Sequence, residues 1–243
     1  MAKNVGLVQI EGTIGGITFR KGGVMSKAVG SRAVTSAETK KNNSEFGNAT
    51  TVASLFYKAL AYLTWSGGSK NTFSRVVKKM TEAIYLDGSS VKGERNVLDG
   101  ELAVFEGFEY NAVQSVSGVF NDFLTAAIDR VTGVCLVSIP AFVPLQALKM
   151  PTGATHVKFV SQAAAVDFEM KEFETKKAET GYIPLNGTST AVQSLSCDLS
   201  NASTHPIFLG VAVDFYQYIN GTYSILDNSA FNVATILKVD TGV

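Results

Sequence analysis

The chain is short of the residues on which most catalytic and metal chemistry depends. It has two histidines and two cysteines in 243 residues. His156 stands at the start of a strand-like segment and His205 precedes Pro206 in a loop, so both read as surface histidines rather than as bases. Two histidines and two cysteines without close spacing make no zinc site. No apolar run reaches the roughly 18 residues of a spanning helix, and no apolar segment follows Lys3, so neither a membrane span nor a secretory peptide is expected. Cys135 and Cys197 are therefore expected in a reducing cytoplasm. They either meet across a β-sandwich or stand as two buried free thiols, and the second reading is adopted. The glycines at Gly12-Thr13-Ile14-Gly15-Gly16 and at Lys21-Gly22-Gly23 lead into no Gly-Lys-Ser/Thr, so they are not phosphate loops. The acidic run Asp167, Glu169, Glu172 and Glu174 has Lys171, Lys176 and Lys177 beside it, and a solvated strand face is the reading that fits. No enzyme activity and no cofactor are expected.

What is present is unevenly distributed. Net charge is zero, yet residues 1–95 carry 14 basic and 6 acidic residues, a net of +8, and residues 96–243 carry 7 and 15, a net of −8. Residues 1–41 alone hold 7 basic and 2 acidic residues, rich glycine and one aromatic, Phe19. Val5–Ile10 and Ile17–Arg20 have strand composition, and the glycine-rich stretch between them has turn chemistry. A lone two-stranded hairpin is marginal in water. The segment is therefore read as an arm that needs an outside partner, with Ile14, Ile17, Phe19, Arg20, Lys21, Lys27 and Arg32 as the contact residues. A hydrophobic content of 46% and a charged content of 17% fit a globular remainder with a sizeable core.

From Ser44 the apolar period becomes helical. Ala49, Val52, Ala53, Phe56, Ala59, Leu60 and Leu63 form one stripe, and glycines at 67 and 68 end it. Phe73, Val76, Val77, Met80, Ala83 and Ile84 form a second stripe, with Asn71 or Thr72 as N-cap and Asp87-Gly88 as the stop. A connection this short predicts an antiparallel helical hairpin that docks on the rest of the chain or on a neighbour. Residues 88–121 read as connection with a possible strand over 102–108. Beyond them the period is two: 124–130 and 133–139 form a hairpin, followed by strands near 157–161, 166–171 and 195–199. Residues 207–219 and 222–226 flank Asn220-Gly221, a strong hairpin signal, and 231–239 ends the series. The stretch between Phe173 and Val192 reads as a loop or an edge excursion. The expected fold is α+β: a basic β-arm over 1–42, a helical hairpin over 43–95, a connection over 96–121 and an immunoglobulin- or fibronectin-like β-sandwich over 122–243.

The stretch Ile10–Val24, with Gly12, Ile14, Gly15, Ile17, Thr18, Phe19 and Lys21, and the later Asn43-Ser44-Glu45-Phe46-Gly47, resemble the opening of a group of proteins from Bacteroidetes phages and mobile elements. Arg20 stands where that group usually has tyrosine, and the resemblance covers about the first 60 residues. It implies a virion structural component, in the neck or tail of a crAss-like or related tailed phage, made in the bacterial host cytoplasm. Its partners would be copies of itself in a ring and other virion proteins, with no membrane. Two further readings stand behind this one. A nucleic-acid-binding accessory protein would use the basic arm on phosphates, although no aromatics interleave with its cations for stacking. A glycan-binding sandwich would show a ring of exposed aromatics on one sheet, for which Phe215, Tyr216, Tyr218 and Tyr223 are the candidates.

Overall fold

A computed structural model describes the backbone of three N-terminal strands, β1 (Gly12–Ile14), β2 (Ile17–Arg20) and β3 (Val24–Lys27), and all of residues 36–226 and 231–242. The chain divides into two compact units, Met1–Asn42 and Asn43–Val243.

In the N-terminal unit β1, β2 and β3 form an antiparallel meander, with Ile14 opposite Ile17, Gly12 opposite Phe19, and Arg20 opposite Val24. Of the two strands expected here, Ile17–Arg20 forms and Val5–Ile10 lies outside the described residues; β1 falls within the stretch expected as a turn. The third strand, Val24–Lys27, was not foreseen, because its mix of small, basic and apolar residues has no period of two.

Helix α1 (Ala37–Ala59) begins before Ser44, capped by Ser36, whose hydroxyl accepts the Thr39 N–H at 3.1 Å. Its first turns expose their side chains, so no apolar stripe announced them. The predicted stripe is buried over its whole length. The helix breaks at Leu60 and resumes as α2 (Ala61–Gly67). After four residues α3 (Thr72–Tyr85) returns antiparallel to α1. Tyr57 meets Phe73 edge to face at 5.4 Å near one end of the pair, and Phe46 shares a groove with Tyr85 and Leu86 near the other. Asn71 occupies the N-cap position without a side-chain bond; the Thr72 hydroxyl accepts the Ser69 N–H at 2.6 Å instead.

The α+β class is what the chain adopts. Strands β4 (Thr125–Asp129), β5 (Val134–Ile139) and β9 (Gln193–Asp198) form a small antiparallel sheet in the order β4-β5-β9. The larger sheet runs β11-β10-β6-β7, built from β6 (His156–Asp167), β7 (Glu172–Glu179), β10 (Ile207–Ile219) and β11 (Thr222–Ile225). β12 (Val233–Asp240) also pairs β10, and the short β8 (Ile183–Pro184) pairs β6. Asn220 and Gly221, with φ of 52° and 82°, make the predicted β10–β11 turn.

Two expected strands are replaced in the middle of the chain, and a third stretch takes the form of an edge strand. Residues 102–105 form a 3-10 turn rather than a strand, with Leu102 and Phe105 in the core. The strand expected over 166–171 is the end of β6 and a tight turn at Phe168–Lys171. The stretch expected as a loop or an edge excursion holds the edge strand β7, whose polar, mostly exposed side chains carry no apolar alternation.

The central strands β6 and β10 of the larger sheet are buried on both faces over most of their length, which accounts for their long apolar runs. On one face Val160, Ala164, Val166, Phe208, Ala212 and Ile236 pack under the helices, and Phe56 sits 4.7 Å from Phe105 and 4.9 Å from Phe208. On the other face Val157, Phe159, Val211, Val213 and Phe215 meet Cys135, Val137 and Leu195 of the small sheet, with Phe120 and Phe142 closing one side. Each such phenylalanine or leucine contributes about 1.5–3 kcal/mol on burial. The helical hairpin thus docks on its own chain. Cys135 lies directly opposite Cys197 on paired strands of one sheet rather than across two, and both are free and buried.

Candidate functional site

The helix-bearing face of the larger sheet continues past the end of α2, and there its character changes. Gln162, in the second half of β6, is the first polar residue. Its Oε1 accepts the N–H groups of Tyr62 and Leu63 at 3.2 Å each, and its Nε2 donates to Ala59 O at 3.2 Å. These are the backbone groups that the break at Leu60 deprives of helical partners.

Next along the same face comes Asp214, fully buried on β10. It accepts from the Tyr62 hydroxyl at 2.6 Å and from the Ser66 hydroxyl. Burial pushes its carboxyl up, against these bonds and the nearby Lys158 and Lys177. Burial, with Asp214 beside it, likewise raises the Tyr62 phenol well above its ordinary value and pushes Tyr216 up to about 12. Lys158, opposite Asp214 in register, reaches Glu179 at 3.3 Å, and Lys177 reaches the same carboxylate at 3.5 Å. Burial alone would raise the Glu179 pKa; the two ammonium groups outweigh it and hold the carboxyl below its usual range.

Beyond the charges lie rings. Lys158 Nζ sits 4.6 Å from the Tyr182 ring centre and 5.5 Å from that of Tyr216. Tyr182 stacks on Tyr223 at 3.8 Å with planes 2° apart, and Tyr218 and His156 flank Tyr223 at 4.5 and 5.0 Å. On the other side of the charges, Lys177 covers Tyr62 at 4.6 Å, and Tyr62 lies 5.5 Å from Trp65. Of the four residues proposed for an aromatic ring, Tyr216, Tyr218 and Tyr223 come together, while Phe215 alternates to the opposite face and is buried. Tyr182 lies in the stretch expected as a loop or an edge excursion, where no periodicity placed it beside β10 and β11. Asp214 and Gln162 carried a usable signal: each is the one strongly polar residue inside an otherwise apolar strand segment, and such residues need partners.

A second surface lies on the helices. Phe46 and Thr50 of α1 and Phe73, Val77 and Tyr85 of α3 line an open, mainly apolar groove of about 840 Å³. Phe46, Tyr85 and Leu86 leave more than half of their surface in solvent.

The residues proposed from sequence for inter-subunit contact fall in the N-terminal unit. Ile14, Ile17, Phe19, Arg20 and Lys27 lie on its paired strands; Lys21 and Arg32 lie outside the described residues. The acidic run does not act as one face. Asp167 turns the chain, its Oδ1 accepting from Glu169 and Met170 N–H at 2.9 Å each, while Glu174 accepts the Ser200 N–H at 3.0 Å. Asp167, Glu172, Glu174 and His205 border a cavity of about 440 Å³. Among the described residues no group of three or more acidic, histidine or cysteine side chains is placed to hold a metal ion. Comparison of the chain with protein-family models, curated proteins and solved structures finds no match.

Proposed function

We propose that the chain is a structural subunit of a tailed-phage particle, repeated in a neck or tail ring and assembled through its N-terminal unit. One observation carries this reading: Met1–Asn42 is a compact unit whose sheet has three strands of three or four residues. A unit of about 40 residues buries little surface, and without a disulfide such a unit usually needs association to be stable. The resemblance of Ile10–Val24 to phage and mobile-element proteins supplies the setting. The +8 and −8 halves suit head-to-tail contacts between unlike surfaces of successive copies, which close into a ring. Other virion proteins are the remaining partners, and the virion is the site of action after synthesis in the host cytoplasm. The two facing sheets are the part of the chain for which we propose an immunoglobulin- or fibronectin-like relationship, on the strength of their antiparallel pairing and shared core.

Light scattering coupled to size-exclusion chromatography tests the proposal on the full chain and on a variant lacking residues 1–35. The full chain is expected as a discrete ring and the truncated chain as a folded monomer. A monomeric full chain, or an assembly unchanged by truncation, overturns the reading. Tight DNA binding that weakens steeply with salt, and is lost on replacing Arg20, Lys21, Lys27 and Arg32 by alanine, would favour the nucleic-acid alternative.

A further inference from the structure

The aromatic strip beyond α2 has no role in the assembly reading. Its rings are not core: Tyr182, Tyr218 and Tyr223 are 37%, 45% and 37% exposed, and Trp65 at the far end is 62% exposed. Clustered apolar surface in water is costly to keep and marks a binding site more often than isolated exposed rings do. The strip is also held firmly in place. Its base is anchored by Asp214, Gln162 and the paired strands, and its centre by the Lys158–Glu179 and Lys177–Glu179 pairs. Such preorganisation lowers the cost of binding.

The chemistry of the strip narrows the ligand. Rings lie on either side of a central polar group in which two ammonium groups face two carboxyl groups, those of Glu179 and Asp214. That balance lacks the cationic track that a nucleic acid or another polyanion requires. It also lacks the continuous apolar groove that takes a peptide helix. Exposed rings set beside a few convergent polar groups suit a ligand with apolar faces and many hydroxyls.

We propose that this strip binds a neutral oligosaccharide. Sugar rings would lie against the Tyr182–Tyr223–Tyr218 cluster and against Trp65. The Glu179 carboxylate would accept from ligand hydroxyls between the two clusters, and Lys177 would donate to them. Every residue of the site belongs to the unit Asn43–Val243.

The test is an array of neutral bacterial and plant polysaccharides probed with the full chain, followed by titration of the best-bound soluble oligosaccharide, with heparin and single-stranded DNA as polyanion controls. Tyr223→Ala and Trp65→Ala are each expected to weaken binding on the order of tenfold, the loss of about one ring stack. Trp65 is exposed on a helix, so its replacement leaves the fold intact, and thermal melting checks both variants. Glu179→Gln, which keeps the shape and removes the charge, is expected to reduce affinity without lowering that for heparin. The inference is overturned if no neutral saccharide binds the full chain, if heparin or DNA binds in preference, or if Trp65→Ala and Tyr223→Ala both bind as the unmodified chain does. None of these outcomes depends on the oligomeric state, because the titrated ligand is monovalent.

Discussion

The Gln162 side chain on β6 takes the place of a turn of helix for Tyr62: its Oε1 accepts the Tyr62 N–H at 3.2 Å while its amide nitrogen reaches back to Ala59. A helix interruption is tolerated here because a single sheet residue satisfies the groups on both sides of it.

Replacing Gln162 with leucine keeps the volume and removes every one of those bonds. Two buried backbone groups and the half-buried Tyr62 N–H would then lose their partners, at about 1–3 kcal/mol for each buried group before relaxation. We expect Gln162→Leu to lower stability by about 3 kcal/mol in urea unfolding. A loss below about 1 kcal/mol would mean that water or a rearranged α2 replaces the side chain.

Close approach of α2 to the sheet depends on two residues without side chains. A Cβ on Gly210 would lie 2.6 Å from Thr235 O and against a Leu63 methyl, and one on Gly67 would lie 2.6 Å from the Ala234 Cβ. Overpacking of this kind costs about 1–3 kcal/mol. Gly210→Ala and Gly67→Ala should each depress the thermal midpoint, whereas Gly181→Ala, where a Cβ meets no atom within 4 Å, should leave it unchanged.

Arg130 ties three segments together. Its guanidinium donates to both carboxylate oxygens of Asp240, at 2.8 and 3.3 Å, to Asp240 O at 2.9 Å, to His205 O at 2.9 Å and to Ser203 O. Bonding to Arg130 holds the Asp240 carboxyl below its usual range. A depressed folded pKa means that the stabilisation is complete above the unfolded carboxylate value of about 4 and is lost as the pH falls through the folded value. Arg130→Ala is expected to cost about 2 kcal/mol at pH 7. The difference from the unmodified chain should shrink as unfolding is measured at successively lower pH below 4, without vanishing, since the carbonyl bonds do not titrate. A pH-independent difference would show that the carboxylate contributes nothing.

Cys135 and Cys197 are neighbours across β5 and β9, yet both thiols are disfavoured as nucleophiles. Burial, with each other's charge and nearby carboxylates adding to it, pushes Cys135 up to about 12, and burial raises Cys197 against its bond to Ser161. Native protein should resist iodoacetamide at pH 8 over a period in which urea-unfolded protein takes up two equivalents. Rapid labelling of the native form would contradict the burial.

Much of the fold could be read from the sequence because burial wrote it there. Every residue of the first helical stripe, and all of the second except the half-exposed Phe73, is in the core, and Asn220-Gly221 turns where its chemistry requires. Elements without a buried face left no such trace. β7 is held by its backbone bonds to β6 and shows mainly polar side chains to solvent, and the first turns of α1 are polar all round. Leu102–Phe105 misled for the opposite reason: four apolar residues in a row carry no period, and a 3-10 turn buries two of them as well as a strand would. The aromatic strip needed the fold, since the pairing of β8 with β6 and of β11 with β10 brings Tyr182, just before β8, against Tyr223 of β11.

The central position of β10 also sets the order in which the molecule can be made. It pairs with β6 on one side and with β11 and β12 on the other, and β12 ends at Asp240. The helices emerge from the ribosome before any strand of the larger sheet, with their apolar stripes complete once Tyr85 is added, but that sheet closes over them only when β12 arrives. At about 5–20 residues per second, that leaves the stripes uncovered for on the order of ten seconds or more. Lower temperature or added chaperone during synthesis is therefore expected to raise the yield of folded chain, by slowing association of the uncovered stripes.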